Sequence, residues 1–279
     1  MNLRRASIAA VAIALSMGAV TVNSALAQGR GGRGGGPPAG PARTTAPVDL
    51  TGTWVSVVTE DWRVRMMTPP KAANGQADVG SIPATQAARQ VANAWDPAKE
   101  GSCEAFGVGG LMRMPARFKI SWQDDNTLKI ESDAGQQTRL LHFAPPGSPA
   151  PASAGQPRTL QGYSAAEWQR SGGALDAFGP DIAPEAAGGG PAPPRWGSLK
   201  VITTNMLPGW LSRNGVPYSQ NMTMTEYYTR ISNKDAGDWF VVTTVIEDPQ
   251  YLNGQWITST NFKREANDSK WAPVPCKAS

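Results

Sequence analysis

Residues 118–143 read FKISWQDDNTLKIESDAGQQTRLLHF, and their alternation decides the fold class. Phe118, Ile120 and Trp122 alternate with Lys119 and Ser121, and Leu128 and Ile130 alternate with Lys129 and Glu131. A period of two belongs to strands, whose successive side chains point to opposite faces. Asp124-Asp125-Asn126 and Asp133-Ala134-Gly135 turn the chain, and Thr138–Phe143 runs extended again. Three adjacent strands joined by short turns form a meander.

Outward from this stretch the β character recurs. Residues 53–59, TWVSVVT, make an opening strand, and a second extended piece is expected from Trp62 to Met67, before Pro69-Pro70. Further strands are expected over Leu199–Thr204, Met222–Ile231, Trp239–Glu247 and Trp256–Lys263. One short helix is predicted over residues 84–97, where Ala84, Ala87, Ala88, Val91, Ala94 and Trp95 recur at three- and four-residue steps before Pro97. No strand–helix repeat of a parallel α/β fold is present. The expected fold is mainly β: an antiparallel barrel of about 8–10 strands, favoured over a sandwich because hairpins outnumber long crossovers. Residues 144–195 interrupt it with Pro-, Gly- and Ala-rich sequence, read as a surface insertion with an ordered island around Tyr163 and Trp168. That island either covers a cavity mouth or patches a sheet edge.

The first 27 residues have the layout of a secretory signal peptide. Arg4 and Arg5 give a positive start, Ile8 to Val22 is mostly apolar, and Ala25-Leu26-Ala27 is a small-x-small cleavage site. Cleavage implies a periplasmic or secreted protein with no stable membrane span. Residues 28–47 form a Gly-, Pro- and Arg-rich flexible leader, and residues 48–279 a single β domain. In an oxidising compartment Cys103 and Cys276 pair as a disulfide. The formal charge of +4 comes from Arg4, Arg5, Arg30, Arg33 and Arg43; residues 48–279 hold 21 Lys and Arg against 22 Asp and Glu. A near-neutral core has no field for a phosphate backbone, so nucleic acid is not an expected partner. Oligomeric state stays open.

At Gly52-Thr53-Trp54 the opening strand resembles the Gly-x-Trp signature of lipocalin-like β-barrels. The resemblance implies that Trp54 closes one barrel end beside a basic residue of the last strand, a role that falls to Arg264. A broader resemblance rests on Gly162-Tyr163-Ser164 through Trp168, Ser198-Leu199-Lys200-Val201, Thr225-Glu226-Tyr227-Tyr228 and Ile246-Glu247-Asp248-Pro249 followed by Tyr251 and Trp256. Over about residues 50–264 these look like a large group of secreted bacterial proteins of unassigned function. This resemblance implies export and a β fold and supplies no activity.

The chain has one histidine, His142, which excludes multi-histidine zinc sites. No Gly-x-Ser-x-Gly elbow and no phosphate loop is present, and no motif calls for a cofactor. His142 shares the parity of Thr138 and Leu140 and is expected to point inward. Glu226 shares a strand face with Met222, Met224, Tyr228 and Arg230; if that face is internal, Glu226 and Arg230 must pair or meet a wet cavity. An enzyme acting on a small hydrophobic or glycosidic substrate would therefore use His142 with Glu226, Tyr228 or Glu247. Ten tryptophans favour a different reading, a binding protein for a small apolar or aromatic ligand. Trp168, Trp196 and Trp210, in or beside loops, are its candidate contacts, with Arg230. An envelope-associated structural role is the third alternative.

Overall fold

The computed structural model of the chain describes residues 40–65, 68–99, 101–145, 148, 152–170 and 197–277. A helical turn α1 (Ala42–Thr45) leads to strand β1 (Gly52–Val57), a second turn α2 (Trp62–Arg65) and helix α3 (Gln86–Ala94). After the short α4 (Val108–Leu111) come β2 (Arg117–Asp124), β3 (Thr127–Ser132), β4 (Ala134–Gly135), β5 (Thr138–Phe143) and β6 (Tyr163–Arg170). The second half adds β7 (Gly197–Thr204), β8 (Gly209–Ser212), β9 (Val216–Tyr218), β10 (Thr223–Asn233), β11 (Gly237–Glu247), β12 (Trp256–Arg264) and β13 (Val274–Pro275).

Nine of these strands close into a barrel in the order β1, β12, β11, β10, β7, β6, β5, β3, β2. The barrel is mixed, not wholly antiparallel as expected: β5 and β6 run parallel, with Leu141 opposite Ser164 and Phe143 opposite Ala166. Parity explains the difference. Directions around a closed ring must reverse an even number of times, so nine strands require at least one parallel pair. Parallel neighbours need a crossover of a dozen or more residues, and residues 144–162 connect β5 to β6. The island around Tyr163 and Trp168 is thus a barrel strand, while residues 171–196 lie outside the described residues.

Three local expectations change. Trp62–Arg65 is a helical turn instead of an extended piece: Asp61 adopts φ 50°, and its carbonyl accepts from the amides of Val64 at 2.9 Å and Arg65 at 3.0 Å. Met66 and Met67 fall outside the described residues. Helix α3 is shorter than 84–97, because Thr85 caps it by accepting from the Ala88 amide and the backbone turns extended at Trp95. Order also begins before Leu50. Ala42 is 6 % exposed, its amide donates to Asn126 Oδ1 at 3.0 Å, and the Arg43 amide donates to the Asp125 carbonyl at 3.0 Å. These two amide bonds to the β2–β3 turn fix the segment, which composition does not reveal. The signal and the rest of the leader, residues 1–39, lie outside the described residues.

Aromatic side chains fill much of the barrel. Trp54 meets Phe240 edge-on at 4.7 Å, Phe240 stacks on Phe262 at 4.5 Å, and Phe118 meets Phe262 edge-on at 5.4 Å; all four are fully buried. Such pairs add about 0.5–1.5 kcal/mol each beyond the area they bury. Arg264 lies over the Trp54 indole, 5.6 Å from its centre, and the indole Nε1 donates to the Leu50 carbonyl at 2.9 Å. Gly52 is required here: its φ is +126°, and a Cβ would sit 3.1 Å from Arg264 Nη2.

Register defines two ends. Because β1 is antiparallel to both β2 and β12, those strands finish together, so Trp122 marks one end and Trp256, which opens β12, the other. At the Trp256 end, Ala88 and Ala92 of α3 share a core with Val216, Tyr218, Met224, Ile246 and Trp256. A disulfide joins Cys103 to Cys276, with Cα atoms 4.9 Å apart and a sequence separation of 173. Among the described residues no helix is long and apolar enough to cross a membrane.

Candidate functional site

Inside the barrel, Arg139 of β5 faces Glu226 and Tyr228 of β10. Its Nη1 donates to Glu226 Oε1 at 3.1 Å and to the Tyr228 hydroxyl at 3.3 Å. Its Nη2 donates to Glu226 Oε2 and, at 2.8 Å, to Thr203 Oγ1, while Nε donates to Ser164 Oγ at 3.1 Å. Burial works against the Arg139 charge, but the facing Glu226 carboxylate more than offsets it and holds the guanidinium protonated. Burial, reinforced by Glu226, pushes the Tyr228 phenol well above its ordinary value. Each of these five side chains belongs to a residue at most 1 % exposed. The hydrogen bonds among these buried groups supply the counter-charge and partners that a charge in such a place requires.

The inward face of Glu226 and Tyr228 is therefore real, but their partner is Arg139, not Arg230. Arg230 sits toward the Trp122 end, where Nη1 donates to the Asp49 carbonyl at 2.6 Å and Nη2 to Asp238 Oδ2 at 2.8 Å. His142 does not point inward. The buried positions of β5 are Arg139, Leu141 and Phe143, so His142 projects from the outer face and stacks on Tyr163 at 4.8 Å with a 12° interplanar angle. The inward parity of β5 is the opposite of the one expected: of the two adjacent leucines it is Leu141, not Leu140, that is buried, and the Glu226 charge across the barrel holds Arg139 on that face. Partial burial lowers the His142 pKa, with nearby Asp124 opposing. Glu247 is exposed and accepts from Gln255 Nε2 at 2.8 Å. His142 and Glu226 thus lie on opposite faces of the barrel wall, and Glu247 belongs to neither group.

The tryptophans separate as well. Trp196 lies outside the described residues. Trp210 stands edge-on to Trp95 at 5.9 Å and borders an open groove with Tyr218 and Tyr251. Trp168 is at the Trp122 end, stacked on Phe143 at 5.1 Å and 6.4 Å from the Trp122 ring. Its Nε1 donates to the Ala42 carbonyl at 2.9 Å, which ties the 42–51 segment across the barrel mouth as a strap. Between strap and mouth lies an open cleft of about 360 Å³, with Val48, Leu50, Trp122, Leu128 and Trp168 on its apolar side and Arg43, Thr44, Asp49 and Thr51 on its polar side. Trp122 alternates in phase with the buried Phe118 and Ile120 of its strand, and the strap's position makes it a mouth residue.

Among the described residues no group of three or more His, Cys, Asp or Glu side chains is placed to hold a metal ion. The chain matches no protein-family model, no curated protein and no solved structure.

Proposed function

We propose that this chain is an exported binding protein for a small apolar or aromatic molecule, held in the strap cleft against Trp122 and Trp168. The observation that carries the reading is the pair of half-buried indoles at an open barrel mouth, under a strap fastened by hydrogen bonds from the Trp168 and Trp54 indoles and from Arg230, and by its own Ala42 and Arg43 amides. The half-buried Trp122 and Trp168 indoles offer flat aromatic faces, Thr44, Asp49 and Thr51 offer polar groups to orient a ligand, and about 360 Å³ falls at the small end of the range of small-molecule sites. Export is supported by the signal layout of residues 1–27 and by the disulfide, which persists outside reducing compartments. The enzyme alternative lacks a shared site, since His142, Glu226 and Glu247 do not converge.

The neutral fluorophore N-phenyl-1-naphthylamine tests this. Its emission should rise saturably with the folded protein, and Trp168→Ala should weaken binding about tenfold, the loss of about 1.4 kcal/mol of aromatic contact. Equal affinity in folded Trp168→Ala and Trp122→Ala variants would remove the cleft from the proposal.

A further inference from the structure

The groove beside Trp210 is separate from the barrel interior and from the strap cleft, since Tyr218 and Tyr251 on its wall pack with the core at the Trp256 end. It is open, measures about 400 Å³, and is lined among others by Glu104, Pro208, Trp210, Gln220, Gln250 and Tyr251. Its walls come largely from the β8–β9 hairpin and from the turn that follows β11. One buried carboxylate ties these two walls together. Asp248, 3 % exposed, accepts from the Ser219 amide, from Ser219 Oγ at 2.9 Å, and from the amides of Gln250 at 2.9 Å and Tyr251 at 3.3 Å. Further bonds pin the backbone from outside. Arg158 Nη1 donates to the Gln220 carbonyl at 2.9 Å, and Thr85, the cap of α3, donates its amide to the Tyr251 carbonyl at 2.9 Å and its Oγ1 to the Gln250 carbonyl at 3.3 Å. The backbone of both walls is thus fixed, while Gln220 and Gln250 themselves are exposed. A site held this way has little backbone left to order when a ligand arrives.

Two aromatic side chains give the groove flat surface. Trp210 and Tyr251 are both partly exposed. The contact of Trp210 with Trp95 is edge-on, at an interplanar angle of 86°, so Trp95 covers at most one face of the Trp210 indole. Each glutamine amide carries donors and an acceptor on one planar group. Among the described residues of the wall, Glu104 is the only charged one.

We propose that this groove binds a neutral oligosaccharide of pyranose rings with equatorial hydroxyls, which stack on Trp210 and Tyr251 and turn their hydroxyl edges to Gln220 and Gln250. Such a ring has an apolar face of axial C–H groups and a rim of hydroxyls that both donate and accept. Aromatic faces bordered by amides are its complement. Charge narrows the class: no Lys or Arg belongs to the described wall, Arg158 is turned to the Gln220 and Met206 carbonyls, and Glu104 repels an anion, so acidic glycans are disfavoured. A proline-rich peptide would also suit the aromatic rings. Its prolines have carbonyl acceptors and no N–H, so they would leave the amide oxygens of both glutamines without a donor. The open side of the groove lets a chain longer than the site continue into solvent.

Cellotetraose and tetra-N-acetylchitotetraose, with tetragalacturonate and an oligoproline peptide beside them, are titrated calorimetrically into the disulfide-intact protein. At least one neutral tetrasaccharide should bind saturably, with neither tetragalacturonate nor oligoproline binding in the same range. Trp210→Ala, shown folded by near-ultraviolet circular dichroism, should lower the affinity about tenfold or more. Gln250→Ala alters an exposed side chain and keeps the backbone bonds to Asp248 and Thr85, so it carries the test should Trp210→Ala fail to fold; its affinity should fall about fivefold to tenfold. Trp168→Ala should leave sugar binding unchanged, which separates this site from the strap cleft. The proposal is overturned if neither tetrasaccharide binds, if tetragalacturonate or oligoproline binds more tightly than both, if Gln250→Ala or folded Trp210→Ala keeps full affinity, or if Trp168→Ala loses it.

Discussion

Replacing Glu226 with Gln tests the interior ion pair, because it removes a charge while keeping the side chain's shape. Arg139 would retain bonds to Ser164, Thr203 and Tyr228 and one acceptor on the introduced amide, but its charge would stand in a fully buried site without a counter-ion. Breaking a buried pair from one side costs about 3–5 kcal/mol; the surviving hydrogen bonds place this case near about 3 kcal/mol. In a domain of this size that is a fall in Tm of about 6–12 °C. The triple variant Arg139→Met, Glu226→Leu, Tyr228→Phe should be far milder, within about 1 kcal/mol of wild type, since no charge or phenol is stranded. Ser164 and Thr203 would still bond to each other at 2.8 Å. Urea unfolding followed by far-ultraviolet circular dichroism, with the disulfide intact, measures all three proteins. A Glu226→Gln loss below about 1 kcal/mol, or a triple variant as unstable as the single one, refutes the account of the pair as a mutually dependent structural unit.

Two further outcomes follow from other contacts. Opening the Cys103–Cys276 bond by the double Ser replacement frees a loop spanning 173 residues, and chain entropy sets the loss at up to about 5 kcal/mol; a denaturation midpoint unchanged by the replacement would contradict it. His142, the single histidine, has a folded pKa below its ordinary 6.5, so below that pH the unfolded chain binds the proton more readily than the folded one. Stability from this group is complete above 6.5 and declines as pH falls from there toward the folded pKa. His142→Phe keeps a ring against Tyr163 and should flatten the stability profile between about pH 7.5 and about pH 5.5; an equal slope in both proteins would assign the effect elsewhere.

How much of this was legible depends on the range of the interaction that fixed each feature. The β2–β3–β5 meander and the β10–β12 strands were legible because alternation and turn residues are local, and each pair is joined by a short connection. Gly52-Thr53-Trp54 pointed to a contact with Arg264 because the resemblance carried that pairing. Arg139 was not legible: an arginine next to two leucines reads as surface until Glu226, 87 residues away, supplies its counter-charge. The 144–195 stretch shows a different failure. It was weighed as an interruption of an antiparallel barrel, and a long loop does count against such a fold. Strand number reverses that weight, because a ring of nine cannot alternate throughout, and the single parallel pair must fall where the chain is long enough to cross from one end to the other. Among the connections between consecutive barrel strands on adjacent sites, only 144–162 joins β5 to its neighbour in parallel, so its length is a condition for closure. The same crossover sets β6 so that Trp168 reaches the mouth beside Trp122, and the feature that looked least like part of the barrel therefore positions one wall of the proposed site.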